Sequence, residues 1–365
     1  MLVKSVKCKL RTSDESAAAL ADTMRRFNAA CNALSKQAWE TKTFRAFDLH
    51  NLAYHATRAE FGLPAQLTVR AIAKVADSYK TDRSQQHTFG ERGAVVFDAR
   101  CFKLKGVSSA ELTTTMGRKS FSLAHGGKQR EQLVAGITGE ADLLFLDGNY
   151  YLSIAVKSPD APPADMSGGV LGIDMGIVEI ATDSEGESFS GEAVKAMRRR
   201  VREHRRHLQR ARTRSAYKRL QKVRRRQSRY VADVNHCIAK SIVQKAHSLR
   251  KALALETLTG IRERSNGFNK YLRWLLGNWA FADLAAKIGY KAAELGIAVV
   301  HVDPAYTSQI CSACGYCERD NRKSQAHFKC LQCGLEIGAD YNAALNIRAR
   351  AELSDSLMFH AVVTA

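Results

Sequence analysis

The stretch VLGIDMGIVEIATDSEGESFSG, Val170 to Gly191, decides the fold. It opens on an apolar run, Val170 to Ile173, that stops at Asp174 with Gly172 and Gly176 on either side. Two further short runs follow, separated by Gly and Ser, and the spacing predicts three strands in a meander. An acid emerging from the end of a buried strand adds little to solubility and is well placed for a site, so Asp174 is a candidate functional residue.

Two other acids stand in comparable places. LALETL puts Glu256 at the end of a second apolar strand, and ADYNAALNI puts Asp340 at the start of a helix. They follow one another at intervals of 82 and 84 residues, so only the fold can bring them together. An RNase H-like arrangement would do so: a three-strand meander, a fourth strand beside the first, and a helix across the sheet. Three carboxylates in that setting can hold two Mg²⁺ ions about 3.5–4 Å apart, activating a water and stabilising the leaving 3′ oxygen of a phosphodiester. The competing readings are an ordinary strand-end acid and, for Asp340, a helix N-cap.

Upstream, SPDAPPADMSGG (158–169) holds three of the five prolines and reads as a linker. Before it, residues 1–12 read as a strand, and Asp14 to Thr81 shows helical spacing after a capping Ser13 or Asp14, with Pro64 as a break. Residues 93–158 return to short alternating runs, with a hairpin at Asp147-Gly148. A strand, a helical insert and more strands suggest a small β-barrel interrupted by a helical domain. Downstream of the meander come the basic helical region, the strand KALALETLTG, the helix NWAFADLAAKIGYKAAELG and the strand IAVVHVD.

Four of the nine cysteines cluster as Cys311-x2-Cys314 and Cys330-x2-Cys333. The two halves match, CSACG and CLQCG, and the spacing suits a tetrahedral Zn²⁺ site of four thiolates with a structural role. Glycine after each pair lets the backbone turn its amides toward the sulfurs. Cys317 offers the alternative pair Cys314/Cys317 but no glycine follows it, and His327 is likewise a spare; unrelated thiols or a redox pair are the competing reading.

The net charge of the 365-residue chain is +20, and Lys195 to Arg229 holds 17 Lys/Arg against one acid, Glu203. So many like charges repel unless an anion neutralises them, which points to nucleic acid. Arg198, Arg199, Arg200, Arg205, Arg206 and Arg210 are the candidates to line a channel for a nucleic-acid backbone. His204, His207 and His236 read as contacts within or beside this region. Trp274, Trp279, Phe281 and Tyr290 have near-helical spacing and read as core, with base stacking as the alternative. Tyr306 and Tyr341 divide evenly between touching a nucleotide and packing. The longest apolar runs are short, so no transmembrane helix is expected, and MLVKSVK lacks the apolar segment of a secretion signal.

Taken in order, GIDMGI, LALETLTGIR, WAFADLAAKIGYKAAELG, VDPAYTSQICSACG and NRKSQAHFKCLQCG…ADYNAALNI resemble the TnpB proteins of bacterial insertion sequences, relatives of type V CRISPR effectors. RRFNAACN and LPAQLTVRAIAKVADSYK add to the likeness upstream. The resemblance implies an α+β multidomain chain. Residues 1–12 and 92–160 would form a wedge β-barrel and residues 13–91 an inserted helical recognition domain. Residues 161–310 and 336–365 would form an RNase H-like (RuvC) nuclease domain, with the basic helical region 192–250 inside it and a zinc ribbon at 311–335. It implies an RNA-guided, Mg²⁺-dependent DNA endonuclease of the prokaryotic cytoplasm, associated with the nucleoid; the sequence leaves monomer and dimer open, with the monomer favoured. Its partners would be a guide RNA from the transposon end and target double-stranded DNA beside a short adjacent motif. Asp174, Glu256 and Asp340 fall on the family's catalytic acids, and Cys311, Cys314, Cys330 and Cys333 on its zinc ligands. Arg25, Arg26, Asn28, Arg58 and Lys80 become candidates for contact with the adjacent motif. The short tail after Ile347 and the GADYNAA approach to Asp340 depart from the usual pattern. Other classes compatible with the motifs are a guide-directed repressor, a CRISPR-associated effector and a strand-transfer transposase.

Overall fold

The computed structural model describes residues 2–176, 178–257 and 281–363. The chain divides into two compact units, Met1–Pro159 and Asp160–Ala365, with the break inside the proline-rich stretch.

The first unit begins with strand β1 (Leu2–Arg11), followed by helices α1 (Asp14–Thr41), α2 (Ala46–Phe61) and α3 (Ala65–Thr81). Ser13 caps α1 by accepting from the Ser16 amide, and Pro64 precedes α3. Strands β2 (Val95–Asp98), β3 (Phe102–Lys105), β4 (Ser109–Thr114) and β5 (Gly117–Ala124) lead to the short helix α4 (Gly127–Ala135), then β6 (Ile137–Leu146) and β7 (Asn149–Ser158). They form one antiparallel sheet in the order β2-β6-β7-β1-β5-β4-β3, and β3 comes back against β6, so the sheet is nearly closed. Burial alternates strictly along β4 and most of β7, as in a sheet with one face inward. The β6–β7 loop is Asp147-Gly148 with φ of 49° and 81°, the doubly left-handed turn that the dipeptide predicts.

The second unit is built on a five-stranded sheet. Its strands are β8 (Val170–Asp174), β9 (Glu179–Asp183), β10 (Ser188–Ser190), β11 (Ala252–Glu256) and β12 (Val299–Val302), in the order β10-β9-β8-β11-β12. The first three are the expected meander; β11 lies parallel to β8 and β12 parallel to β11. Between β10 and β11 runs a helical hairpin of α5 (Glu192–Ala211) and α6 (Arg214–Ser248). From residue 281 onward come α7 (Phe281–Glu294), the cysteine-bearing segment with the small hairpin β13 (His327–Lys329) and β14 (Glu336–Gly338), and α8 (Ala339–Val363).

The two faces of the sheet differ in a way the sequence dictates. Leu171, Ile173, Leu253 and Leu255 point to one face and pack with Ile238, Ile242, Leu284 and Ile288 of α6 and α7. Val170, Ala252 and Ala254 point to the other and pack with Ile347 and Ala351 of α8. Small residues on that face let α8 come close. A Cβ on Gly172 would collide with the Ala344 carbonyl oxygen, so this position admits glycine alone without the helix moving. Asp183, 1% exposed, ties the meander to α6: it takes the Glu185 and Glu187 amides and an ion pair from Lys245 at 2.5 Å.

Only the apolar second half of α6 packs on the sheet, through Ile238, Ile242 and Ala246. The cationic half of α6 and most of α5 are exposed, because their few apolar residues, such as Val194, Met197, Val201 and Val223, are interspersed with arginine and lysine.

Candidate active site and metal centre

The period of two along a strand places Asp174 on the face of Val170 and Gly172, and Glu256 on the face of Ala252 and Ala254. That is the face α8 covers. The parallel register pairs Leu255 with Ile173, so one residue further Glu256 stands beside Asp174 at the same end of adjacent strands. Asp340 lies in the first turn of α8, and its Oδ2 comes to Gly176, just past Asp174. Three acids far apart in sequence thus share one end of one face.

Their electrostatics reflect the crowding. Burial, followed by repulsion from Glu256 and Asp340, pushes the Asp174 carboxyl up to about 8. Burial also raises Asp340, against the pull of Arg322. Such groups hold a proton until a cation replaces it. Carboxylate oxygens suit hard divalent ions, so the donor set fits. Among the described residues, only the four cysteines below bring all their ligand atoms within 4.8 Å of one another.

Two neighbours escaped the sequence reading. Arg322 donates to Asp340 Oδ1 at 3.4 Å and to the Gln325 carbonyl. Thr307 Oγ1 donates to Glu256 Oε1 at 2.5 Å. The loop bearing Thr307 is held from α8 by side chains at Asn342, Asn346 and Arg350, spaced by one helical turn each. Asn342 and Asn346 donate to the Ile310 carbonyl, Asn346 also to that of Thr307, and Arg350 to those of Asp303 and Ala305. Asn342 accepts from the Ser312 amide as well, reaching the first metal knuckle. One helix therefore carries Asp340 and clamps the loop that orients Glu256. Tyr306 in that loop is 62% exposed at φ 62°, an unusual backbone for a bulky residue. Tyr341 packs its ring by Gly186 instead.

The four cysteines converge as their spacing predicts. Cys311 and Cys333 Sγ are 3.6 Å apart, as are those of Cys314 and Cys330. A tetrahedron with metal–sulfur bonds of about 2.3 Å has edges of roughly 3.8 Å, so the cluster can hold zinc. Gly315 and Gly334 both have φ 76°, and each returns its amide to the carbonyl of the first cysteine in its pair. The Cys330 thiol is held below its ordinary value: burial opposes this, and the amides of Cys333 and Gln332 outweigh it. Cys317 sits outside the cluster, exposed, and His327 bonds Glu336.

The candidate nucleic-acid contacts divide. Arg199, Arg200, Arg206 and Arg210 are exposed on α5 and Arg205 is half-buried. Arg198 differs from them: it is 4% exposed, drawn inward by its position on the α5 stripe that also buries Val194, and it lines a cavity between α5 and α6. Asn28 lies in the interior. It is fully buried, donating to the Met24 and Gly93 carbonyls and accepting from Lys74, so its role is to fasten α1 to the segment before β2. Arg25 and Arg26 both pair with Asp22, at 2.5 and 2.8 Å, while Lys80 pairs with Asp77. Phe281 is buried in the core and Tyr290 bonds His236; Trp274 and Trp279 lie outside the described residues.

Residues 153–259 match the family model described as "Probable transposase", OrfB_IS605, and residues 281–347 match "Cas12f1-like, TNB domain". A Cas12f1 CRISPR-associated endodeoxyribonuclease of Sulfoacidibacillus thermotolerans is 50% identical over 95 residues, 26% of this chain and 21% of that protein. A TnpB-like protein of Methanocaldococcus jannaschii is 35% identical over 127 residues, 35% of this chain and 45% of that one. The putative RNA-guided DNA endonuclease InsQ of Escherichia coli K12 is 28% identical over 239 residues, 59% of this chain and 57% of that one. The chain thus spans between a fifth and somewhat over half of these relatives. A solved Cas12f1–sgRNA–target DNA complex has the same fold at a TM-score of 0.66 and 15% identity, covering 90% of this chain and 82% of that one. Residues 153–259 and 281–347 thus carry family-model matches, and parts of the chain are similar to TnpB-like proteins and Cas12f endodeoxyribonucleases, the kinship that its ordered motifs lead one to expect.

Proposed function

We propose that the protein is an RNA-guided DNA endonuclease that hydrolyses target DNA at the Asp174–Glu256–Asp340 site. The observation that carries this is the convergence of the three acids on the α8 face, with Asp174 pushed up to about 8 by burial and its two neighbours. The sheet order, with α8 across it, supports an RNase H-like (RuvC) reading of residues 161–310 and 336–365. The nearly closed sheet and α1–α3 support the wedge and recognition assignments for the first unit.

Two Mg²⁺ ions held by these carboxylates would supply an activated water and charge stabilisation at the leaving oxygen. The protein's own groups prepare that site. Asp174 gives up its proton when a cation binds. Thr307 fixes the rotamer of Glu256, and the α8 N-terminus with Arg322 favours ionised Asp340. Arg322 also places positive charge where a phosphate would approach. The zinc ribbon at 311–335 would be structural, its four thiols leaving no open position.

The exposed arginines of α5 would contact nucleic-acid backbone, reading its shape rather than its sequence. The relatives' names supply the guide RNA and the DNA target as partners; a guide from the transposon end goes with the OrfB_IS605 match. A CRISPR-associated setting is the second reading, favoured by the Cas12f1-like match at 281–347. No helix among the described residues is long and apolar enough to cross a membrane.

The test is cleavage of a target plasmid by the purified protein–RNA complex, with Mg²⁺ or with EDTA, together with sequencing of the copurified RNA. Asp174→Ala should abolish cleavage and leave target binding intact. Binding without cleavage by the unaltered protein would make it a guided repressor; joined transposon ends without a guide would make it a transposase.

A further inference from the structure

The α5–α6 hairpin contains a groove of about 650 Å³ that the proposed nuclease site does not use. Its floor is apolar: Met197 and Val201 on α5, one turn apart, face Val223 on α6. Tyr230 forms one wall at 38% exposure, and Arg200 and Arg226 stand at the groove with further cations. The apolar stripes of the two helices therefore face each other without closing. Met197, Val201 and Val223 stay half-exposed, whereas Val231, Ile238 and Ile242 further along α6 are buried. An apolar gap that no side chain fills forfeits dispersion contacts and leaves apolar surface wet. A ligand that fills it recovers both.

Charge narrows what that ligand is. Lys195 to Arg229 carries 17 cations and one acid, and among the described residues Arg200 and Arg226 form no ion pair with a carboxylate. The occupant must combine a flat apolar body with negative charge beside it. A nucleotide has both, and the groove is within the usual size range of a small-molecule site. A base stacked in a duplex cannot enter, whereas an unpaired one can be turned out and held against an aromatic ring.

We propose that the α5–α6 groove holds one unpaired nucleotide of a bound nucleic acid, its base between Val201, Val223 and Tyr230 and its phosphates against Arg200 and Arg226. This rests on the reading of the basic hairpin as a nucleic-acid interface and adds to it a site that distinguishes an unpaired nucleotide from a paired one.

The experiment uses the purified full-length chain and short RNA duplexes that are either fully paired or carry one bulged 2-aminopurine, with DNA duplexes of the same design. The bulged probe should bind about tenfold more tightly than the paired one, with quenching of its fluorescence. Comparing RNA with DNA assigns the nucleotide to one or the other. Tyr230→Ala and Val201→Trp, one opening and one filling the groove, should each remove the preference and the quenching. Both should leave the salt-dependent affinity for paired probes; Tyr230 is exposed enough that its loss spares the fold, which thermal melting checks. Equal affinity for bulged and paired probes overturns the proposal while the basic interface stands. Failure to bind any probe overturns both. An acidic amphipathic peptide that binds the groove while bulged probes show no preference would assign it to a protein partner and likewise overturn the proposal.

Discussion

Thr307 and Glu256 are joined by a 2.5 Å hydrogen bond across 51 residues of sequence, with the hydroxyl donating to Oε1. Thr307 is in turn held by Asn346, whose amide donates to its carbonyl. The helix that bears Asp340 thereby also sets the direction of Glu256.

Replacing Thr307 by Val keeps the side-chain shape and removes the donor. A hydrogen bond to a charged acceptor is worth about 1.5–3 kcal/mol, so cleavage should slow roughly ten- to a hundredfold. Thr307→Ser should restore most of the rate. Single-turnover cleavage across a Mg²⁺ series, beside target binding, measures this. Loss of rate with unchanged binding is expected; a Val variant as fast as the parent would remove Thr307 from the site.

Gly172 is the contact point between β8 and α8. Gly172→Val should cost about 1–3 kcal/mol through overpacking and push the helix away from the sheet. The melting temperature should fall by several degrees and cleavage should fall further than stability alone explains, because Asp340 rides on that helix. Unchanged melting would show that the close approach is not needed.

The pH dependence follows from Asp174. Its carboxyl is at about 8 in the folded chain and about 3.9 when unfolded, so the folded state holds the proton longer. The resulting stabilisation is complete below the unfolded value and is lost as the pH rises through the folded one. In EDTA, the protein should lose stability between pH 4 and 8 relative to Asp174→Asn, and Mg²⁺ at pH 8 should raise the melting temperature of the parent more than that of the variant. Parallel pH profiles for the two proteins in EDTA would contradict the crowding of the three acids.

The cysteine cluster predicts a separate loss. Cys330→Ser should release bound zinc, lower the melting temperature and reduce cleavage, since Asn342 links the first knuckle to α8. Cys317→Ser should change none of these. Metal content by mass spectrometry with thermal melts decides it, and a stable, fully active Cys330→Ser would rule out a structural ion.

Much of the site is legible in sequence because its logic is local. Alternation in VLGID and LALETL sets both acids on the small-residue face, and the matched CxxCG halves announce a metal cluster before any fold is known. The Asp147-Gly148 hairpin follows from the turn its residues favour. The burial of Asn28 and Arg198 is not legible for the opposite reason. Each is a polar residue in a helical run, and whether it meets solvent or the interior depends on which face the neighbouring elements cover.

Arg322 and Thr307 belong to loops without a periodic pattern, and their value lies in contacts made 18 and 51 residues away. Asn342, Asn346 and Arg350 show as a stripe on one helix face, yet nothing local names the carbonyls they hold. The sequence by itself therefore determined the strands, their buried faces, the acids at their ends and the metal knuckles, because short-range periodicity and backbone conformation are written in adjacent residues. Only the tertiary structure decided that Asp174, Glu256 and Asp340 meet, and that one helix fastens both the last acid and the loop behind the second. Those proximities arise from packing between segments that no local rule connects.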